Sequence, residues 1–308
     1  MERVLCPGEM LIDYFVSSTG DHNRNGYLYQ KKAGGASANV AIAIQKLGAE
    51  GIFLGAVGND EEGNFLVDTL MKYQASTKGL KQLHTNTTLA YVTLFPDGER
   101  DFEFVKGAAS DYTFKMISDD LLEGVSIIHF GSAMAFMGGE LEGTYDQLLE
   151  YAIHNDIMVS FDPNYREVLF GDNKNVFIEK SVRYIKHSDI VKVSDEEAAI
   201  ITGFSDVETA AKAIIEMGAK NVLVTLGKNG TLFVTKEHLE YIPVIPVEMV
   251  DATGAGDAFI GAVLAQFAKT KDMSIDAMKK YIAFGNKVGS ITVQKKGALD
   301  SIPFINEL

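Results

Sequence analysis

Val250-Asp251-Ala252-Thr253-Gly254-Ala255-Gly256-Asp257-Ala258-Phe259-Ile260-Gly261-Ala262 leads a glycine turn straight into an apolar helix candidate. Gly254, Ala255 and Gly256 leave the backbone nearly bare, so successive amides can point together at an anion. The dipole of the helix they open adds positive potential at the same place. Asp257 falls in the first turn, where its carboxylate is expected to stay ionised at neutral pH. A carboxylate beside an anion hole makes chemical sense for transfer to an alcohol. The hole stabilises phosphoryl charge while the carboxylate takes the hydroxyl proton. The plainer alternative is an acidic helix entry without a ligand, and the turn alone leaves both readings open.

Working outward, apolar strand candidates occupy residues 51–57, 127–130, 158–161, 190–193 and 222–225. Amphipathic helical patterns alternate with them at 36–47, 61–73, 140–153, 176–185 and 208–217. That alternation predicts βαβ units in an α/β fold, a doubly wound, mostly parallel sheet flanked by helices. Two longer helix candidates, 254–268 and 274–293, follow a strand–turn region at 231–250. No repeat, low-complexity tract or Pro/Gly/Ser-rich linker interrupts the chain, so one domain over residues 1–308 is expected.

Two segments break the alternation. Residues 88–95 and 100–105 flank Pro96-Asp97-Gly98-Glu99, and Asp-Gly between alternating strands predicts a hairpin. Residues 11–16 and 27–32 also read as strands with no helix between them. The two insertions, at about 10–33 and 86–107, predict either a small β-sheet lid over a ligand or an antiparallel extension of the central sheet.

Composition excludes several classes. With 28 Lys and Arg against 42 Asp and Glu, the net charge is −14, which disfavours an extended phosphate backbone as partner. It leaves a local pocket for a small phosphate ligand open. A single cysteine, Cys6, cannot form an intrachain disulfide, and this fits a cytoplasmic protein. Glu2, Glu9 and Asp13 interrupt the N-terminal stretch where a signal peptide needs an uncharged core. The longest apolar run, 258–268, is far shorter than the ~20 residues of a membrane span. The six histidines show no metal-ligand spacing, and there is no CxxC. No GxxxxGK[ST] is present, and the late glycine helix lacks the third glycine of a dinucleotide fingerprint.

Jointly, the segments resemble the ribokinase-like (PfkB) carbohydrate kinases, and within that family most closely the bacterial fructokinases. The late D-[TS]-x-G-A-G-D signature falls on Asp251 to Asp257, with Ala252-Thr253 inside it. The early Gly-Gly-x-x-x-Asn loop is Gly34-Gly35-Ala36-Ser37-Ala38-Asn39. Val57-Gly58-Asn59-Asp60-Glu61-Glu62-Gly63, Asp162-Pro163-Asn164-Tyr165-Arg166 and Thr225-Leu226-Gly227-Lys228-Asn229-Gly230 match in family order.

The resemblance implies ATP-dependent phosphorylation of a sugar hydroxyl under a β lid. It makes Asp257 the catalytic base, and Gly254, Ala255 and Gly256 the anion hole. It places sugar-binding groups at Asp13, Gly35 and Asn39, a sugar or phosphate contact at Arg166, and lid contacts at Tyr91, Arg100 and Phe102. ATP contacts are expected at Lys192, Ser194, Thr225, Gly227, Gly230, Gly256 and Asn286. The family's Asn-x-x-Glu motif falls on Ser194 to Glu197, with Ser replacing Asn, and implies that Glu197 organises Mg2+ through water. A monovalent-cation (K+) site is implied at Asp251, Thr253, Thr292, Lys295, Gly297 and Ser301. D-fructose, phosphorylated to fructose 6-phosphate, is the expected substrate. The related 2-keto-3-deoxygluconate kinases carry a Tyr-x-Arg or Tyr-Arg cluster where this chain has Phe102, Phe104 and Lys106. Nucleoside kinases of this fold and a non-catalytic sugar- or nucleotide-binding protein are the remaining alternatives. A homodimer is expected from apolar lid strands that need cover.

Overall fold

A computed structural model describes residues 3–94 and 100–308, and the side chains of residues 93, 94 and 100–102 lie outside the described set. In chain order the strands are β1 (Arg3–Pro7), β2 (Leu11–Val16), β3 (His22–Arg24), β4 (Tyr27–Gly34), β5 (Glu50–Gly58), β6 (Leu80–Leu83) and β7 (Leu89–Leu94). They continue as β8 (Arg100–Val105), β9 (Val125–Phe130), β10 (Met158–Phe161), β11 (Ile190–Ser194), β12 (Asn221–Thr225), β13 (Thr231–Val234) and β14 (Leu239–Ile242).

Nine strands form one sheet in the order β14-β13-β12-β11-β10-β9-β1-β5-β6. From β6 to β12 every neighbouring pair is parallel, and only β13 and β14 turn antiparallel at one edge. The parallel strands inside the β6 edge are buried on both faces, which is why they read as short continuous apolar runs. The helices Ala36–Lys46, Glu61–Lys72, Glu140–His154, Lys174–Ile185 and Val207–Met217 occupy the expected positions. Two of them start on aspartate caps, Asp60 accepting from the Gly63 amide and Asp206 from the Thr209 amide.

The second sheet has the order β3-β4-β2-β7-β8, separate from the first. It is the projecting lid rather than an extension of the main sheet. Its two insertions meet where β2 pairs parallel with β7, through Ile12–Leu89, Asp13–Ala90, Tyr14–Tyr91 and Phe15–Val92. β7 and β8 pair antiparallel, while the expected turn at Pro96-Asp97-Gly98-Glu99 lies outside the described residues. Alternation puts Asp13 and Phe15 on one face of the lid and Tyr14 and Tyr91 on the other.

The helix Ala255–Thr270 is buried over most of its surface. It lies against the helices Ala36–Lys46 and Ile275–Thr292, so its all-round apolar sequence follows from burial rather than from one amphipathic face. Gly261 allows the closest approach: a Cβ there would lie 2.6 Å from the Ala43 Cβ and 3.3 Å from the Val40 carbonyl oxygen. This contact sets the first turns of two helices side by side. Gly261→Val is therefore expected to lower unfolding stability by about 1–3 kcal/mol through overpacking. Urea unfolding checks this, and an unchanged midpoint would contradict the close helix contact.

Candidate active site

The two first turns carry Asn39 and Asp257. Asn39 Nδ2 donates to Asp257 Oδ2 at 2.8 Å, and both residues are buried. Burial raises the Asp257 pKa above the ordinary carboxylate range, opposed by the Asn39 hydrogen bond and by the charges of Arg166 and Lys192. Asn39 Oδ1 is buried without a hydrogen-bond partner. Such an acceptor is costly unless something with a donor reaches it, and a sugar hydroxyl has one.

Glycine geometry fixes both loops. Gly254 caps its helix at φ 76°, and a Cβ on it would lie 2.5 Å from the Ala298 Cβ. Gly35, at φ 106°, packs so closely that a Cβ would fall 2.5 Å from the Glu9 carbonyl oxygen. A Cβ on the neighbouring Gly34 would collide with Asp13 Oδ2. A side chain would press on the proposed sugar contact Asp13 from Gly34, and on the Glu9 carbonyl and Ala298 from Gly35 and Gly254.

A buried ion pair lies beneath the glycine turn. Lys192 Nζ is 2.9 Å from Asp162 Oδ2, with side chains 9% and 3% exposed. The ammonium also lies 2.9 Å from the position a Cβ on Gly256 would take, so it borders the anion hole directly. Burial pulls the Lys192 pKa down, but the carboxylates of Asp162, Glu197 and Asp257 more than offset it and keep the lysine charged. Burial pushes Asp162 up to about 6.

Glu197 is placed differently from a simple metal carboxylate. Its two oxygens accept backbone N–H bonds from Tyr165 and Ser194, each at 2.8 Å, while Ser194 Oγ accepts from the Glu197 amide at 3.0 Å. This capping box ties the end of β11 to the loop carrying Arg166. Among the described residues, no cluster of three or more His, Cys, Asp or Glu side chains could hold a metal ion.

Beyond the turn opens a cleft of about 240 Å³, lined in part by Thr225, Gly227, Gly230, Ala255, Gly256 and Asn286. The structure thus brings together five of the seven expected ATP positions, while Lys192 approaches Gly256 from beneath and Ser194 pairs with Thr225 between β11 and β12. Ile245, Val247 and Met249 add an apolar wall, and Ile245 and Met249 are 71% and 66% exposed. This suits the flat apolar face of a base. The Asn286 amide is already used: it accepts from Thr231 Oγ1 and donates to the carbonyls of Ile242 and Pro243. It shapes the wall by holding that segment.

The cation positions also converge. Asp251 Oδ1 accepts from the Thr253 amide and hydroxyl, Asp251 Oδ2 accepts from the Gly297 amide, and Ser301 Oγ donates to the Gly297 carbonyl. The Lys295 amide approaches the Thr292 carbonyl at 3.5 Å. The loop bearing the anion hole is thereby tied to the C-terminal loop, whose carbonyls are the donor type K+ takes.

The lid expectations divide. Asp13 lies opposite Lys32 in the β2–β4 register, and burial raises its carboxyl to about 6 despite the charges of Arg166 and Lys32. Arg166 is exposed, and its charge acts on Asp13, Glu9 and Asp257 alike, so it lies within electrostatic reach of all three. Tyr91 is turned away from Asp13. It stacks on Tyr14 at 5.1 Å and lies under the Arg24 guanidinium, on the lid face opposite Asp13. Arg100 and Phe102 have side chains outside the described set. Sequence reasoning overlooked Glu9, Lys32 and Asp162. The alternation of β4 against Asp13 could have signalled Lys32, and the matched 162–166 segment could have signalled Asp162.

Comparison with known proteins supplies independent findings. The family described as pfkB family carbohydrate kinase matches residues 1–305. A probable fructokinase-2 of Arabidopsis thaliana is 34% identical over 309 residues, covering 97% of this chain and 92% of that protein. The fructokinase of Xylella fastidiosa with bound ATP is similar with a TM-score of 0.87 at 26% identity, over 99% of this chain and 96% of the other. A fructokinase double mutant of Vibrio cholerae O395 in its fructose-, ADP- and potassium-bound form has a TM-score of 0.86 at 26% identity, over 98% and 96%. No helix among the described residues is long and apolar enough to cross a membrane.

The raised Asp13 pKa gives a stability prediction with a definite sign. An unfolded aspartate releases its proton at about pH 4, whereas the folded chain holds it to about 6. Stability from this group falls as pH rises through that window, and the full cost is present above it. Asp13→Asn should therefore be more stable than the parent at pH 8, equal to it near pH 4, and weaker in sugar binding. Urea midpoints at both pH values check this, and a less stable variant at pH 8 would contradict it.

Proposed function

The chain belongs to the pfkB family of carbohydrate kinases, and from that premise we propose that it transfers the γ-phosphoryl group of ATP to D-fructose, giving fructose 6-phosphate and ADP. The observation that carries this reading is the Asn39–Asp257 bond at the mouth of a glycine-opened helix. It puts an orphaned hydroxyl acceptor, a buried carboxylate and a row of backbone amides in one place. The names of the similar proteins supply the sugar.

In the proposed reaction, the 6-hydroxyl oxygen bonds to the γ-phosphorus as the bond from that phosphorus to the β-bridging oxygen breaks. The hydroxyl proton passes to Asp257, and ADP leaves. The amides at Gly254, Ala255 and Gly256 stabilise charge on the transferring group, with Lys192 beside them. Mg2+ on the nucleotide would neutralise part of the phosphate charge. K+ held between the Asp251–Thr253 and Thr292–Ser301 loops would stiffen the anion hole from behind. The lid would close over the sugar and exclude water as a competing acceptor.

A neutral ketohexose suits this site better than a sugar acid. The carboxyls of Asp13 and Asp257 already stand at the proposed sugar pocket, so a substrate carboxylate would meet like charge wherever they are ionised, and a neutral sugar would not. The lid strand β4 exposes Tyr27 and Leu28 at 42% and 39%, a surface that supports pairing of two lids in a homodimer.

Coupled measurement of ADP release should show fructose far ahead of 2-keto-3-deoxygluconate and adenosine. Preference for the sugar acid would replace the substrate assignment. Asp257→Asn is expected to lower kcat by about 10²–10⁴ while largely preserving sugar affinity. Near-normal turnover in that variant would remove Asp257 from the role of base.

A further inference from the structure

Glu9 belongs to none of the groups that would touch sugar or nucleotide, yet it is buried at the junction of the two sheets. It follows β1 in the main sheet and precedes β2 in the lid by two residues. Its Oε1 accepts the Ala36 amide at 2.9 Å. That amide opens the helix carrying Asn39, and the Gly35 cap has no side chain with which to satisfy it. Its Oε2 accepts the Ser132 hydroxyl, from the loop after β9. Its carbonyl oxygen is the surface on which Gly35 rests.

The partners of Glu9 are themselves fixed. Ser132 Oγ accepts from the Ala135 amide at 3.2 Å, and the Ser132 amide donates to the Tyr145 hydroxyl at 3.0 Å. Tyr145 in turn donates to the Pro7 carbonyl at 2.8 Å, two residues before Glu9. A closed ring of bonds therefore joins β1, the loop after β9 and the helix Glu140–His154 to the Gly35 loop. Asp13 lies four residues further along the same chain, on β2. One carboxylate thus fixes the proposed sugar-binding end Gly35–Asn39 against the segment that leads into β2 and Asp13. It does nothing comparable for the nucleotide cleft, whose lining comes from other segments.

Such a burial is costly for a carboxyl, and here burial raises its pKa to about 7, with the Ser132 and Ala36 bonds and the Arg166 charge acting in the opposite sense. Packing alone would be served better by an apolar side chain. A fully partnered buried polar group instead specifies one arrangement of the elements it joins.

We propose that Glu9 is a positioning residue for the sugar: through Ala36 and Ser132 it sets the sugar-binding loop and first helical turn, without taking part in nucleotide binding or proton transfer. This rests on the fructokinase reading. Kinetics with fructose and ATP separate the two, because the parent protein tests the reading and the variants test Glu9. If the parent takes another sugar, the variants are compared on that sugar.

Glu9→Ala should raise the KM for the sugar at least tenfold, with KM for ATP and kcat within about threefold of the parent. Glu9→Gln keeps an oxygen for the Ala36 amide and should return the sugar KM to within about threefold. Ser132→Ala removes the second anchor and should raise the sugar KM about threefold with KM for ATP unchanged; this variant decides if Glu9→Ala does not fold. An unchanged sugar KM in Glu9→Ala, or equal increases in both KM values, would overturn the proposal. So would a Glu9→Gln variant as impaired as Glu9→Ala, or a Ser132→Ala variant with parental sugar KM when Glu9→Ala is unfolded.

Discussion

The hydrogen bond from Asn39 to Asp257, 2.8 Å long and buried, joins residues 218 positions apart in the chain. For it to form, the helices Ala36–Lys46 and Ala255–Thr270 must run in contact, which Gly261 permits. Each helix must also begin at a glycine with positive φ, so that its first turn faces the same space. The proposed sugar side and the proposed phosphate side of the site are therefore not separate inventions. They are two helix N-termini brought together by one packing contact, with their dipoles directed at the same space.

The same place concentrates charge that a folded chain would rather avoid. Asp257, Asp162 and Lys192 lie together under the glycine turn, and Glu197 is spent on a capping box that holds the adjoining loop. Buried pairs of this kind are weak contributors to stability. Their value lies in geometry: the lysine borders the anion hole because an aspartate holds it there. A chain with net charge −14 can accordingly favour one phosphorylated nucleotide locally while repelling extended polyanions over its surface.

Much of this was legible in the sequence because it is local. The glycine turn before Asp257 and the Gly34-Gly35 loop are short-range backbone statements, and the apolar runs of the parallel strands announce burial on both faces. β1, β3 and β6 escaped because three to five residues without alternation carry little periodic signal. Whether the two insertions formed a lid depended on the β2–β7 pairing across about 75 residues, which no local pattern encodes. That register also decides which face each lid residue takes. The expectation of a lid contact at Tyr91 carried no register, and Tyr91 is found stacked on Tyr14, on the lid face opposite Asp13. Asp162 and Glu9 were missed for a related reason, since a buried carboxyl acquires its meaning from partners distant in sequence.

The central claim is that Asn39 and Asp257 act as one unit on the hydroxyl. A double-mutant cycle on kcat/KM for fructose, using Asn39→Ala and Asp257→Asn, tests it most directly. The account predicts strong non-additivity, with the double variant scarcely worse than Asp257→Asn alone. Losses that simply multiply would show that the two residues work independently, and would contradict it.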